Sequence, residues 1–323
     1  MQTIYFKCCG LDVHKNFITA CLLTTTIQSE IKHNQEKVET EIREFSTFPD
    51  SLTELRNWLE SVDCHYVAME STGVYWFPVY ETLEQAFDGD INLLVVNARH
   101  MRNVPGRKTD VKDAEWIASL LRFGLVNGSF VPPLSVRELR QLTRYRKSIV
   151  EDISTQKNRI EKTLQMSGFK LSTFLTDIFG VSGRNLINAL IAKGQLSSSD
   201  IEIGAKHISI DKQNEIKRVI TGKLSLHQRS FLKMQIKQLD SLLAHLETIE
   251  QSIDQNIAET TELFEAAIES IKTIPGISVT SATAIIAEIG TDMSKFPSAA
   301  HLCSWAGVSP SNNMSAGKKK AHR

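Results

Sequence analysis

The sequence of 323 residues predicts an α/β domain, a long helical region and a small helical domain at the C-terminal end. Three observations carry that prediction. Apolar and β-branched runs of strand length alternate with helical patterns as far as Leu121. Two long stretches then repeat apolar residues at spacings of three, four and seven. Beyond Ile271 a Pro-Gly turn separates short helical patterns, and the chain closes on a polar, basic run.

The N-terminal elements follow in order. Ile4 to Thr25 reads as two strands joined through Gly10-Leu11-Asp12-Val13-His14-Lys15-Asn16, which holds a polar turn. Asp12 falls at the end of the first strand. A carboxylate on a rigid strand end can hold a metal; an Asp there can also simply start the turn by bonding its own backbone. His14 and Lys15 are within reach of a phosphate at that place, or are ordinary turn residues. Glu36 to Val62 is charged and helix-prone, with Leu52, Leu55 and Leu59 at helical spacing. His65 to Glu70 is a short buried strand that runs into Ser71-Thr72-Gly73. A helix is expected from Trp76 to Phe87, and another buried strand from Ile91 to Val96.

The stretch Lys108-Thr109-Asp110-Val111-Lys112-Asp113 follows, leading into the amphipathic helix Ala114 to Leu121. Residues three apart on a helix share a face, so Asp110 and Asp113 can aim at one spot. Two anions there repel unless a cation sits between them, and a hard divalent ion such as Mg²⁺ prefers such oxygen ligands. Arg99, Arg102, Arg107, Lys108 and Lys112 around them suggest that the other party is anionic, with phosphate the obvious candidate. The plainer alternative is a solvated helix face of mixed charge.

Asp12, Glu70, Asp110 and Asp113 thus each end or flank a separate core element. The order strand, strand, a third strand, helix, strand, helix, strand, helix suits a ribonuclease H-like mixed sheet with helices on its faces. Four carboxylates at one edge of such a sheet could hold two Mg²⁺ ions for in-line phosphoryl transfer.

Net charge is zero, so the total excludes nothing, but its distribution is uneven. Gln28 to Asp90 holds 4 Lys and Arg against 14 Asp and Glu, whereas Arg99 to Lys170 holds 15 against 7. An acidic lobe therefore precedes an anion-binding centre. The five cysteines show no metal-binding spacing and read as reduced thiols of a cytoplasmic protein. No run approaches the ~20 apolar residues of a membrane span, and no signal peptide is expected.

In the middle, Leu139, Leu142, Ile149, Ile153, Ile160 and Leu164 form one seam. Leu232, Ile236, Leu239, Leu243, Leu246, Ile253 and Ile257 form the other. Both look like coiled-coil seams. They fit a hairpin within the chain, a dimerisation arm, or both. The first carries Arg137, Arg140, Arg144, Arg146, Lys147, Lys157, Arg159 and Lys162, a basic face that is solvated or meets nucleic acid. Ser167 to Lys223 is loop-rich with short helices, and Ser197-Ser198-Ser199-Asp200 reads as a helix cap. Pro275-Gly276 makes a tight turn before a helix from Val279 to Ile289. The free N–H groups of that helix suit a phosphate, as in helix-hairpin-helix DNA-binding modules; an ordinary helical connection is the alternative. In the last run, Ser315 is an accessible hydroxyl near Lys318, Lys319 and Lys320.

Gly10-Leu11-Asp12-Val13-His14-Lys15, Met69-Glu70-Ser71-Thr72-Gly73-Val74-Tyr75-Trp76, and Val96 to His100 with Gly106 to Ala114 resemble the N-terminal motifs of the DEDD transposases. These are insertion-sequence recombinases related to the Piv DNA invertase, some guided by a bridge RNA. The resemblance implies a RuvC-like domain over residues 1–130 with Asp12, Glu70, Asp110 and Asp113 as Mg²⁺ ligands, Mn²⁺ being a possible substitute. It implies a helical, coiled-coil region over 131–265 and a C-terminal transposase domain over 266–323, in which the serine of the S-A-G-K context, here Ser315, is the nucleophile. Implied partners are the element's DNA ends and target, a guide RNA, and further copies of the chain in a dimer or tetramer built through the arm. Family members continue beyond S-A-G-K, so the last domain is expected to be incomplete. Two alternatives stay open: a metal-dependent nuclease or junction resolvase without a covalent intermediate, and an inactive nucleic-acid-binding remnant.

Overall fold

The computed structural model describes residues 2–28, 35–71, 73–97, 113–220, 222–259, 262–308, 314–315 and 318–319. The chain divides into two compact units, Met1–Val131 and Pro132–Arg323.

The first unit is built on a five-stranded sheet. Its strands are β1 (Lys7–Val13), β2 (Phe17–Gln28), β3 (Gln35–Ser46), β4 (Tyr66–Glu70) and β5 (Asn92–Val96), in the order β3-β2-β1-β4-β5. β1, β2 and β3 form an antiparallel meander, while β4 runs parallel to β1, and β5 to β4. This is the ribonuclease H-like arrangement expected from the element order. β1 lies at the centre and is buried on both faces, so its sequence is a near-continuous apolar run. On one face, Leu11, Val13 and Met69 pack with Leu55, Leu59, Val79 and Leu83. The last four come from α1 (Pro49–Ser61) and α2 (Trp76–Leu83). On the other face, Cys8, Cys21, Ala68 and Val96 pack under Ile117, Ala118 and Leu121 of α3 (Asp113–Arg122).

Two expectations need correction. The first half of the helix-prone stretch Glu36 to Val62 is strand β3, and only Pro49–Ser61 is helical. β3 is an edge strand, and its charges suit an edge that must not pair further; Lys37 bonds Glu39, and Arg43 bonds Glu41, two residues apart along it. The helix expected from Trp76 to Phe87 ends at Leu83, because Phe87 and Asp88 turn to positive φ and the Phe87 N–H donates to Glu60 Oε1 at 3.2 Å.

In the second unit, α4 (Leu134–Met166) and α8 (Leu226–Glu259) are the long helices. Their seams pack against each other: Ile149, Ile153, Ile160 and Leu164 share a core with Leu232, Ile236, Leu239 and Ile249. Arg146 pairs with Glu250, and Gln156 donates to the Gln235 carbonyl, so the two helices run antiparallel as a hairpin within the chain. α5 (Val181–Lys193), α6 (Ser198–Gly204) and α7 (Ile210–Val219) add Leu186, Ile187, Leu190, Ile201 and Ile216 to that core. The expected cap is present: Ser197 and Asp200 form a capping box, and bonds from Lys193 and Ser197 hold the Asp200 carboxyl down at about 2. α9 (Glu262–Lys272), α10 (Val279–Ile289) and α11 (Ala299–Trp305) follow, then the short strands β6 (Met314–Ser315) and β7 (Lys318–Lys319). No helix among the described residues is long and apolar enough to cross a membrane.

Candidate active site and nucleic-acid contacts

The site begins with register. Leu11 on β1 faces Met69 on the parallel strand β4. The next residue on each strand is a carboxylate, Asp12 on one and Glu70 on the other. Neighbouring strands lie about 4.8 Å apart and successive side chains alternate between faces. Leu11 and Met69 belong to the α1 and α2 face, so Asp12 and Glu70 belong to the α3 face. Glu70 is in turn paired with Val96 on β5, and the Ser71 N–H donates to the Val96 carbonyl at 2.9 Å, fixing the point where the chain leaves the sheet.

Gly10 fixes the helix. A Cβ there would lie 2.2 Å from the Ala114 carbonyl oxygen and 2.4 Å from the Ala118 nitrogen. Only glycine lets α3 lie this close to the strand. Cys8 Sγ donates to the Ala118 carbonyl at 3.5 Å, so α3 runs opposite to β1 with its N-terminus toward the strand's C-terminal end. Asp113, the first residue of α3, is thereby brought to the end of the sheet that carries Asp12 and Glu70. An acidic residue in that first turn is also favoured by the helix dipole. A glycine inside an otherwise apolar strand is the sequence signal for such a close approach, and Gly10 is the supporting residue that motif reading missed.

Asp12 has a second neighbour. Its Oδ2 lies 3.1 Å from His14 Nε2, and the His14 ring sits 4.5 Å from that of Phe17. The donor set fits a hard divalent cation, since it offers carboxylate oxygens from three separate elements. Among the described residues no three acidic, His or Cys side chains are gathered closely enough to hold a metal ion. The fourth carboxylate, Asp110, lies outside the described residues, as do Arg99, Arg102, Arg107, Lys108, Lys112 and Lys320.

The remaining predicted positions lie in the second unit. Pro275 and Gly276 occupy the turn between α9 and α10; Gly276 has φ +90° and open space around it. Ser278 caps α10 by accepting from the Ser281 N–H at 3.2 Å. Ser315 on β6 stands opposite Lys318 on β7, with Lys319 opposite Met314. The arm's basic face is partly committed within the unit. Arg140 donates to the Ala287 and Glu288 carbonyls at the end of α10, Arg144 grips the Glu288 carboxylate, and Arg146 pairs with Glu250. Four of the five cysteines are buried, and burial pushes the Cys8 and Cys64 thiols up to about 12, which leaves them unreactive.

A DEDD transposase model of the IS110 type matches residues 9–168, and a model described as "Transposase IS116/IS110/IS902 family" matches residues 268–323. The chain belongs to the IS110 family of DEDD transposases. It is therefore an enzyme, a DNA transposase or recombinase whose partner is DNA, and transposases of the DEDD type use divalent metal ions. Two solved structures of Thermus thermophilus RuvC are also similar, one of them in complex with a Holliday junction substrate. They are 12% and 11% identical, cover 38% and 39% of the transposase and 99% and 100% of their own chains, and each has a TM-score of 0.26. No curated protein matches the sequence.

Proposed function

We propose that the transposase cuts and rejoins the DNA of its own mobile element through a phosphoserine–DNA intermediate, with Asp12, Glu70, Asp110 and Asp113 as metal ligands and Ser315 as nucleophile. The observation that carries this reading is the adjacent pair Asp12 and Glu70 at the ends of parallel strands, beside a helix that opens with Asp113. Mg²⁺ bound by the tetrad, or Mn²⁺ in its place, would neutralise and polarise the scissile phosphate.

In this mechanism Ser315 Oγ attacks phosphorus. The Oγ–P bond forms as the bond to one nucleotide's oxygen breaks. The serine proton passes to a carboxylate or water, and the departing oxygen takes up a proton to become a free hydroxyl. The hydroxyl of the incoming strand then attacks the phosphoserine and releases Ser315 unchanged. Covalent attachment splits one hard step into two and preserves the bond energy for rejoining. Residues 1–130 serve as the catalytic domain, 131–265 as the arm and 266–323 as the transposase domain. Arg99, Arg102, Arg107, Lys108 and Lys112 neutralise backbone phosphates, as do Lys318, Lys319 and Lys320. The Pro275-Gly276 turn offers main-chain N–H groups at the start of α10. We read the active form as a homo-oligomer assembled through the arm, directed to its target by a guide RNA, and acting in the cytoplasm.

The test is to incubate the chain with Mg²⁺, labelled DNA carrying the element's ends, and transcripts of the element's non-coding flank. A denaturant-stable protein–DNA adduct, lost in Ser315→Ala, is the expected result. Mg²⁺-dependent nicking without an adduct would replace the serine mechanism with a nuclease or resolvase, and binding with neither would mark an inactive DNA-binding protein.

A further inference from the structure

Directly after Glu70 the chain presents an apolar, aromatic surface that the chemistry above does not use. Gly73 takes a positive φ of 55° and turns the chain from β4 toward α2. The residues that follow are Val74, Tyr75, Trp76 and Phe77. α2 is anchored in the core by Val79 and Leu83, both fully buried. Trp76 packs on that core and meets Tyr80 edge-on. The other three side chains face water: Val74 is 68% exposed, Tyr75 39% and Phe77 40%. The Phe77 ring stacks on Trp76 with centroids 4.0 Å apart and planes 24° from parallel. The Tyr75 ring folds back over Gly73, with two ring carbons 3.8 Å from where a Cβ of Gly73 would stand.

Scattered exposed apolar residues need no explanation. Three of them within four consecutive residues, beginning four residues after the carboxylate that ends β4 and leading into an anchored helix, are a different matter. Exchange of strands between duplexes requires that bases beside the cut be unpaired, although the phosphates themselves already lie on the outside of the duplex. Apolar wedges between base steps unstack bases elsewhere, and aromatic side chains hold a freed base because every base offers a π-face. The partner here is DNA by family, and a ring already stacked on one side has its other face for a base.

We propose that Tyr75 and Phe77, with Val74 between Gly73 and the rings, form a stacking platform that captures an unpaired DNA base flanking the scissile phosphate. The proposal rests on the reading of Glu70 as part of the catalytic edge. Tyr75 and Phe77 are positioning residues that grip the substrate beside the reacting phosphate and take no part in bond making.

The full chain should be titrated, without divalent metal and at fixed salt, with three labelled DNA duplexes of one sequence. One is fully paired, one carries a single unpaired thymine, and one carries an abasic residue in place of that thymine. The native chain should prefer the unpaired thymine over the abasic site by about 5- to 150-fold, the range of one base–aromatic stack. Tyr75→Ala and Phe77→Ala should each lose most of that preference and leave the affinity for the paired duplex unchanged. Tyr75→Phe, which keeps the ring, should retain it. Equal affinity of the native chain for thymine and abasic probes would overturn the proposal. So would an equal loss on all three duplexes in the alanine variants. Cleavage with Mg²⁺ is scored separately. A chain that cleaves but shows no base preference refutes the platform alone, and one that shows the preference but never cleaves refutes the catalytic reading alone.

Discussion

In the unit Met1–Val131 the side chains proposed as metal ligands are positioned by main chain. Asp12 and Glu70 sit side by side because Leu11 and Met69 are in register, and Asp113 lies toward the same end of the sheet because α3 rests on the bare backbone of Gly10. In the unit Pro132–Arg323 position is set by side chains. Leucine and isoleucine seams hold α4 to α8, and Arg140, Arg144 and Arg146 tie those helices and α10 together. Main-chain register tolerates little adjustment, since a slip of one residue moves every side chain to the other face. Side-chain packing tolerates more, since volume-conserving exchanges cost little. The proposed metal ligands thus lie where main chain sets position, whereas the proposed nucleophile, Ser315, lies in the unit held together by side-chain packing.

The sharpest way to break this comparison is to remove one charge from the rigid edge. Glu70→Gln keeps the shape of the side chain and removes an anionic oxygen from the proposed ligand set. Metal-assisted steps draw several kcal/mol from such ligation, so cleavage should fall by roughly 10³-fold or more. Affinity for DNA measured without metal should stay within about twofold, since phosphate contacts by Lys and Arg dominate it. A Glu70→Gln chain that still cleaves at near-native rate would remove this carboxylate from the site.

Two glycines sharpen the comparison. At Gly10 a methyl group would meet the Ala114 carbonyl at 2.2 Å, and at Gly183 it would meet the Ile178 carbonyl at 2.1 Å. Gly10→Ala and Gly183→Ala should each cost about 1–3 kcal/mol in urea unfolding, as overpacking does. Their effects on chemistry should differ. Gly10→Ala pushes back the helix that carries Asp113, so cleavage per folded molecule should drop at least about tenfold, as small misplacements at reacting centres do. Gly183→Ala disturbs the base of α5 and should leave cleavage within about twofold. Equal losses from both would show that the second unit is as tightly coupled to the chemistry as the first.

The parts legible in the sequence were those with a strong local pattern. Buried strands ending in Asp12 and Glu70 stood out because apolar runs stop abruptly at a carboxylate. The seams of α4 and α8 stood out because both are long. β3 was misread because it is exposed from Glu36 to Glu44 on both sides, so burial imposes no period of two and only Val38, Thr40 and Ile42 hint at a strand. The pairing of Arg140, Arg144 and Arg146 within the unit could not be read, because their partners, Glu250 and the end of α10, are more than 100 residues away in the chain. Sequence spacing carries no trace of such long-range pairs. Gly10 was overlooked for the same reason: its partner is the backbone of a helix that begins at Asp113.

The smallest effect expected concerns one of those pairs. Arg144 bonds both oxygens of Glu288 at 2.7 and 2.8 Å, and this bond, with Arg140 nearby, holds the Glu288 carboxyl below its usual value of 4.5. A carboxyl depressed in the folded state stabilises the fold above its unfolded-state value, and that stabilisation is lost as pH falls through the lower, folded-state value. The difference in stability between the native chain and Glu288→Gln should therefore be constant near neutral pH and shrink toward zero below 4.5. Arg144 is 64% exposed, so solvent screens the pair and the whole difference should be under about 1 kcal/mol. Arg140 behaves otherwise, because its hydrogen bonds go to the Ala287 and Glu288 carbonyls, which do not titrate in this range, while its nitrogen lies 3.4 Å from the Glu288 carboxylate without a hydrogen bond to it. Arg140→Ala should therefore keep most of its stability loss below pH 4.5, losing only the part that comes from the carboxylate's charge. Melting curves of the native chain and the two variants between neutral and acid pH separate the two behaviours. A pH-independent difference for Glu288→Gln would mean that the carboxylate contributes through shape rather than charge.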